Sequence, residues 1–471
     1  MRRQGLVSNF SILSISTVIQ GALGFITVVY LARILGPNGY GLYSYTWTWA
    51  ILWLTLTQLG IPTWMTRVAS ALQGSERIAR VQEAWDVLFW LGLFGMLIFI
   101  GATLVLPMSG MTKILLLLWS SLLLQNSVNP QWIYALEQQL AIPAVAMVVG
   151  AILRLVATVL LVNAEGKLNL AVIVTVTALW IAPIGLIAYL AIYQGLRCPC
   201  WPGWRRLATT IRHSSIFAIF GVVGVIYSGI DVLILRHFTT LTQVGFYSAA
   251  TRPLVLLASL LGVLLQSFYP MASQLVHDNR EKLEQVTVNI LRMVVIVTIP
   301  IAIGAMVVDH SFIVGLFGNQ YQSASVPFAI LTVSWMITAI REVFAINLVV
   351  TYGEKRYLRA VLIGAGINLL TMLGLVHWGA TGLAAALACS QAFLMIYTGR
   401  LVRHQFRDIN FPWRTAWLAV LNSLIMGAVV YELLPYTSVW VVIGIGIFVF
   451  TGLAFITRLL TWADLMAMKG A

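Results

Sequence analysis

FSILSISTVIQGALGFITVVYLA, running from Phe10 to Ala32, contains no charged residue, and its reading decides the fold class. A bilayer crossing needs about 20 predominantly apolar residues. A signal-peptide core spans only about 7–15, so this first run reads as a retained span. Thirteen further apolar runs follow, at roughly 43–60, 85–106, 114–134, 142–162, 168–194, 214–235, 247–269, 286–308, 325–349, 358–377, 383–400, 413–434 and 439–460. The expectation is an all-α polytopic membrane protein of about fourteen transmembrane helices.

Composition agrees. The 471 residues are 60% hydrophobic and 9% charged, whereas soluble domains carry about 25% charged residues. No water-facing fold could hide so much apolar surface, whereas lipid accepts it. The net charge of +13 would suggest nucleic acid in a soluble protein. Here the cations fall in short loops and read as topology signals instead. With the N-terminus inside, the outer ends hold only Arg33, Lys113, Lys167, Arg236 and Arg252, and Arg154 and Arg341 fall within spans. All remaining Lys and Arg, from Arg2 and Arg3 to Lys469, lie on the inner side. An even number of spans returns the C-terminus to that side, and both termini are expected in the cytoplasm. No connection is long enough for a soluble domain. Cys198 and Cys200 form a lone C-P-C, and Cys389 sits in an apolar run. That pattern supplies neither a zinc set nor a disulfide framework, and no metal or cofactor is expected.

The chain also repeats itself. Gly41-Leu42-Tyr43-Ser44, entering span two, matches Gly245-Phe246-Tyr247-Ser248, entering span eight. Ala69, Ser70, Leu72, Arg77 and Gln82 match Ala272, Ser273, Leu275, Arg280 and Gln285. An even number of spans separates the copies, so the halves share one orientation, a parallel repeat about an axis along the membrane normal. The expected organisation is an N-terminal lobe over 1–200 (spans one to six), a C-terminal lobe over 201–408 (spans seven to twelve), and two extra helices over 409–471.

A charge at the bilayer centre costs about 2.5–3.5 kcal/mol even on the lenient insertion scale, so it is expected to face a wet cavity or a partner. Arg154 lies mid-span among Ile152, Leu153, Leu155 and Val156. It reads as a cation on a transport path, against the alternative of a structural guanidinium satisfied by a neighbour. Arg341 is followed by Glu342, and adjacent helical residues need not pair because they point about 100° apart. Asp231, near the outer end of span seven, is the candidate for ion coupling, against a satisfied carboxylate at a helix end. Arg33 and Arg252 can snorkel to the outer surface, yet both oppose the charge trend. Trp49 and Trp53 are four residues apart and share a helix face. Such a face suits sugar rings or an interfacial aromatic belt. Gln125, Asn126, Asn129 and Gln131 form a polar inner end on span four, a hydrogen-bonding gate or helix–helix glue. There is no G-x-x-x-x-G-K-S/T, H-E-x-x-H or G-x-S-x-G motif. The chain is therefore expected to be neither an ATPase nor another enzyme.

The segment from Leu31 to Tyr45, LARILGPNGYGLYSY, resembles the ARxLGPxxYGxYS signature of the polysaccharide-transporter family. These are the O-antigen and exopolysaccharide flippases of the multidrug/oligosaccharidyl-lipid/polysaccharide exporter superfamily. Gln131-Trp132 through Glu137 to Arg154 is similar to the family's spans four and five. The usual GxEK appears here as Ala135-Leu136-Glu137-Gln138, without its Gly and Lys. Residues 244–250, VGFYSAA, resemble VGxYSAA. Gly353-Glu354-Lys355-Arg356, Asn368 and 379–384 resemble GEKR…N…GxxGAA. The resemblance implies a V-shaped cavity between two six-helix lobes, opening alternately to each side. The implied substrate is a polyprenyl-diphosphate-linked oligosaccharide, with arginines on the diphosphate. That role carries over to Arg33, Arg154 and Arg252 in matched segments, whereas Arg341 rests on burial alone. The expected partners are the lipid-linked substrate, membrane lipids, and polysaccharide polymerase and chain-length machinery, but no nucleic acid. The expected location is the bacterial cytoplasmic membrane. The alternatives are a cation-coupled multidrug antiporter, which needs acidic cavity residues, and a membrane polysaccharide polymerase or ligase.

Overall fold

A computed structural model describes residues 6–195, 197–405 and 411–460. Arg2, Arg3, Arg407, Lys469 and the expected boundary at 408/409 lie outside the described residues.

The helices run α1 (Leu6–Gln58), α2 (Ile61–Ala69), α3 (Gly74–Val105), α4 (Gly110–Ser127), α5 (Gln131–Leu136), α6 (Ala141–Leu161), α7 (Leu168–Gln194), α8 (Trp204–Phe238), α9 (Leu241–Asp278), α10 (Arg280–Phe317), α11 (Ser325–Tyr352), α12 (Glu354–Leu375), α13 (Gly379–Gln405), α14 (Trp413–Leu433) and α15 (Val439–Ile456). Among the described residues, ten helical runs are long and apolar enough to cross a membrane. Two of them, Ile15–Ala69 and Arg356–Val402, each hold two of the expected spans. This is a polytopic α-helical membrane fold.

Spans one and two are joined without a loop. The break in α1 falls at Gly36, with φ 66° and ψ 172°, and at Pro37. The backbone at Gly36 is open to glycine and strained for any L side chain. Pro37 brings no N–H and its ring excludes the carbonyl four residues back. The LGPNGYG stretch is therefore a joint. Span four is shorter than the expected 114–134. It stops at Ser127 because Pro130 disfavours helix at the residue before it, and the chain resumes as the one-and-a-half-turn α5. The amphipathic α2 has no counterpart among the expected elements. It buries Ile61, Met65 and Ala69 and exposes Arg67.

The chain divides by compactness into two units, Met1–Ser248 and Ala249–Ala471. The division at 200 and 408 is a different partition, made by sequence pattern and not by contact. In the first unit α1 packs on α4, α6 and α8, while α3 packs on α4 and α6 on α7. One core cluster gathers Ile61, Met65, Trp85, Leu88, Tyr134 and Leu186. In the second unit α11 is the central helix, flanked by α10 and α13, and α14 lies against α10. Large apolar side chains remain on the outside, among them Val145, Ile152, Val156 and Val159 along one side of α6. Patches of that extent are incompatible with water and suit lipid.

The C-P-C segment is held by its backbone. Gln82, Asp86 and Trp90, spaced i, i+4, i+8 on α3, take it in sequence. Gln82 bonds both the N–H and the carbonyl of Arg197, Asp86 accepts the Cys200 N–H at 3.2 Å, and the Trp90 indole donates to the Cys200 carbonyl at 3.1 Å.

Candidate substrate cavity

A cavity of about 570 Å³ lies in the first unit, lined by Ile51, Leu54, Thr55, Gln58, Gly60, Thr63, Asn126, Ala218 and Gly221. Three local features open it. The left-handed residues Leu59 (φ 45°) and Gly60 (φ 67°) turn the chain sharply between α1 and α2. The end of α4 delivers Asn126. The third is Gly221 of α8, where a Cβ would come within 3.3 Å of Thr55 Cγ2, so a side chain there would close the gap against α1.

The lining is apolar with hydroxyl and amide groups, and it carries no charge. Gln58 Nε2 donates to the Asn126 carbonyl at 3.1 Å, fixing α1 against α4. Thr55 donates its own hydroxyl to the Ile51 carbonyl at 3.2 Å, which leaves its lone pairs to accept. Among the described residues, no hydrogen bond reaches the Asn126 side-chain amide. A pocket of this kind can trade hydrogen bonds with a neutral polyol. Guanidinium groups, expected from the arginines, are absent from these nine residues.

Of the residues singled out in the sequence, the cavity takes only Asn126. Its polar neighbours have other duties. Gln125 donates to the Leu179 carbonyl at 2.8 Å, tying α4 to α7, and Asn129 caps the Gln131 N–H. Trp49 and Trp53 pack on the Phe99, Leu116 and Leu123 cluster, with Trp53 edge-on to Phe99 at 5.4 Å between centroids. Thr55, Gln58 and Thr63 were missed by sequence reasoning. The available signal was the run Thr55-Leu-Thr-Gln58, polar within an otherwise apolar span.

Arg154 projects from the packed side of α6. It recurs with the buried Gly150 and Thr158 every four residues, opposite Val145, Ile152, Val156 and Val159. A Cβ on Gly24 of α1 would sit 3.2 Å from Arg154 Nη2. Its Nε is buried, and among the described residues the guanidinium has no hydrogen-bond or ion-pair partner. Arg33 is exposed on α1 and Arg252 is half-buried on α9. Arg341, buried on α11 in the second unit, pairs with its neighbour Glu342, and Tyr357 bonds to it as well. The two adjacent side chains do meet, because the flexible guanidinium stem bends across the 100° between them. Asp231 on α8 accepts the Val232 N–H at 2.8 Å and the Tyr247 hydroxyl at 2.7 Å, which links α8 to α9.

The sequence profile of the family described as "Polysaccharide biosynthesis protein" matches residues 6–276. A protein of Haloferax volcanii named "Probable low-salt glycan biosynthesis flippase Agl15" is 23% identical over 55% of each chain, so the match spans about half the length of that relative. An Escherichia coli protein named "Putative O-antigen transporter" is 22% identical over 76% of this chain and 87% of its own. The fold is similar to that of a solved "Lipid II flippase MurJ, inward closed conformation", with TM-score 0.79 and 16% identity over 96% of this chain and 99% of that one. A multidrug resistance MATE family transporter of the MOP superfamily, in an inward-facing conformation, is more distant. Its TM-score is 0.64, with 13% identity over 83% of this chain and 95% of that one.

Proposed function

This chain belongs to the polysaccharide biosynthesis protein family, and from that premise we propose that it is a flippase. It translocates polyprenyl-diphosphate-linked oligosaccharide units from the inner to the outer leaflet by alternating access, for surface polysaccharide synthesis. The setting is a bacterial cytoplasmic membrane with both termini inside, and the polymerase and chain-length machinery take up the product.

The observation that carries the reading is the uncharged, hydroxyl- and amide-bearing cavity at Thr55, Gln58, Thr63 and Asn126 within a membrane-spanning bundle. Moving one hydroxyl from water to hydrocarbon costs about 4–8 kcal/mol, so several sugars cannot cross unaided. A cavity that replaces water's hydrogen bonds removes that barrier while the polyprenyl tail stays in lipid. Arg154, an intramembrane guanidinium with no protein partner, supplies a cation for the diphosphate. Arg33, Arg252 and Arg341 are further cationic positions for the same head group, and Asp231 is the position for ion coupling. Trp49 and Trp53 present ring edges to sugar from a helix held firmly on α3 and α4. The multidrug reading draws support from the MATE-type fold, but cationic drugs need carboxylates, and the nine lining residues include none.

The test is deletion of the gene, followed by chemical analysis of what accumulates. Lipid-linked oligosaccharide units confined to the inner leaflet, with Arg154→Ala giving the same accumulation from a normally inserted protein, support the proposal. Normal surface polysaccharide in Arg154→Ala cells, or a changed drug sensitivity with unchanged polysaccharide, defeats it.

A further inference from the structure

The two copies of the Gly-x-Tyr-Ser repeat lie against each other. A Cβ on Gly41 would overlap the carbonyl oxygen of Leu241 and come within 3.0 Å of the Gly245 nitrogen. A Cβ on Gly245 would overlap the carbonyl oxygen of Pro37 and come within 3.1 Å of the Pro37 Cα. The relation is reciprocal. In each copy a glycine meets the residue that stands four positions before the other copy's glycine. Both helices begin at this point, the second segment of α1 just after the Gly36 break and α9 after the two-residue connection from α8.

We propose that this crossing is the outer gate of the transport path, a backbone-on-backbone seam that must part for release on the far side. The inference rests on the transporter reading. Three observations lead to it. First, the charge pattern assigns this end of both helices to the outer face, whereas the cavity begins ten residues further along α1 at Ile51 and extends to Gly60. At 1.5 Å per residue, Thr55 is about 20 Å from Gly41 along the helix. The path is thus closed on one side and hollow toward the other. Second, the closure is made by glycine Cα atoms against carbonyl oxygens, which are weak contacts with no interlocking side chain from either glycine. Such a seam parts at low cost. Third, the hydroxyls beside the seam are anchored away from it. Tyr43 bonds Thr175 on α7 at 3.2 Å, and Tyr247 bonds Asp231 on α8 at 2.7 Å. Each copy therefore keeps its own bracing when the backbones separate, and the strained joint at Gly36 lies beside Pro37, where the hinge motion is needed.

A methyl group at either glycine blocks closure yet is harmless where the helices stand apart, since alanine is a better helix former than glycine. It should shift the population toward the outward-open state. The full-length protein, with Cys198, Cys200 and Cys389 changed to Ser and Thr55→Cys as reporter, is treated with a membrane-impermeant maleimide from the outer side of right-side-out vesicles. Gly41→Ala and Gly245→Ala should each raise outside labelling at least about fivefold, with normal amounts of protein in the membrane. Labelling equal to that of the parent overturns the proposal. Loss of the protein from the membrane in both alanine variants overturns it too, because that marks the crossing as fixed core packing. A chain that moved no lipid-linked sugar would leave this readout intact, so the seam and the substrate assignment fail separately.

Discussion

Gly24 on α1 makes room for the guanidinium of Arg154 on α6. A Cβ at Gly24 would lie 3.2 Å from Nη2, tighter than ordinary packing. The glycine therefore fixes where an intramembrane cation with no protein partner sits, and two consequences follow.

Arg154→Ala should leave the fold intact and make it more stable. An arginine at mid-bilayer costs about 2.5–3.5 kcal/mol, and here no partner offsets that cost. The variant should therefore show an equal or higher Tm in detergent while its export of surface polysaccharide falls at least tenfold. A lower Tm would mean that the guanidinium has a structural task.

Gly24→Val keeps the charge and moves it. Export should fall several-fold with the cation still present, and Gly24→Ala should lie between the parent and the valine variant. Quantifying surface polysaccharide per inserted protein distinguishes this graded response from simple loss of protein.

Gln58→Ala removes the donor to the Asn126 carbonyl. A single neutral hydrogen bond is worth about 0.5–1.5 kcal/mol, so Tm should change little while export drops several-fold. Thr55→Trp, which fills the cavity, should abolish export. Full activity in the tryptophan variant would remove the cavity from the transport path.

Breaking the Arg341–Glu342 pair tests the second unit. Arg341 is 8% exposed and Glu342 33%, so one partner is buried and the other partly solvated. Glu342→Gln should cost about 1–3 kcal/mol, below the range for a fully buried pair. Arg341→Met together with Glu342→Gln should recover part of that loss. A double-mutant cycle on thermal stability reads the coupling directly.

Asp231 and Tyr247 separate coupling from structure. If Asp231 binds the driving ion, Asp231→Asn should lower export strongly and make the remainder insensitive to an ionophore. Tyr247→Phe, which removes only the 2.7 Å hydroxyl bond, should weaken export and keep its ionophore sensitivity. Equal loss of Tm in both, with unchanged export per molecule, assigns the pair to helix packing.

Much of this protein is determined by the sequence alone. Span length and apolarity are local quantities, so the uninterrupted runs from Phe10–Ala32 onward specify membrane helices wherever they later pack. The charge of Arg154 within such a run, and the shared Gly-x-Tyr-Ser of 41–44 and 245–248, are visible in the same way. Tertiary structure alone decided the rest, because each remaining feature joins positions far apart in the chain. Arg154 stands without a partner because α6 turns it toward Gly24 on α1. Asn126 becomes cavity lining while Gln125 becomes glue, because one turn of α4 faces two different neighbours. Trp49 and Trp53 rest on Phe99 because α3 and α4 lie beside α1. Gly41 must be glycine because of a carbonyl at position 241. Periodicity shows which faces of a helix are apolar, but which backbone comes close enough to exclude a methyl group depends on how the helices cross.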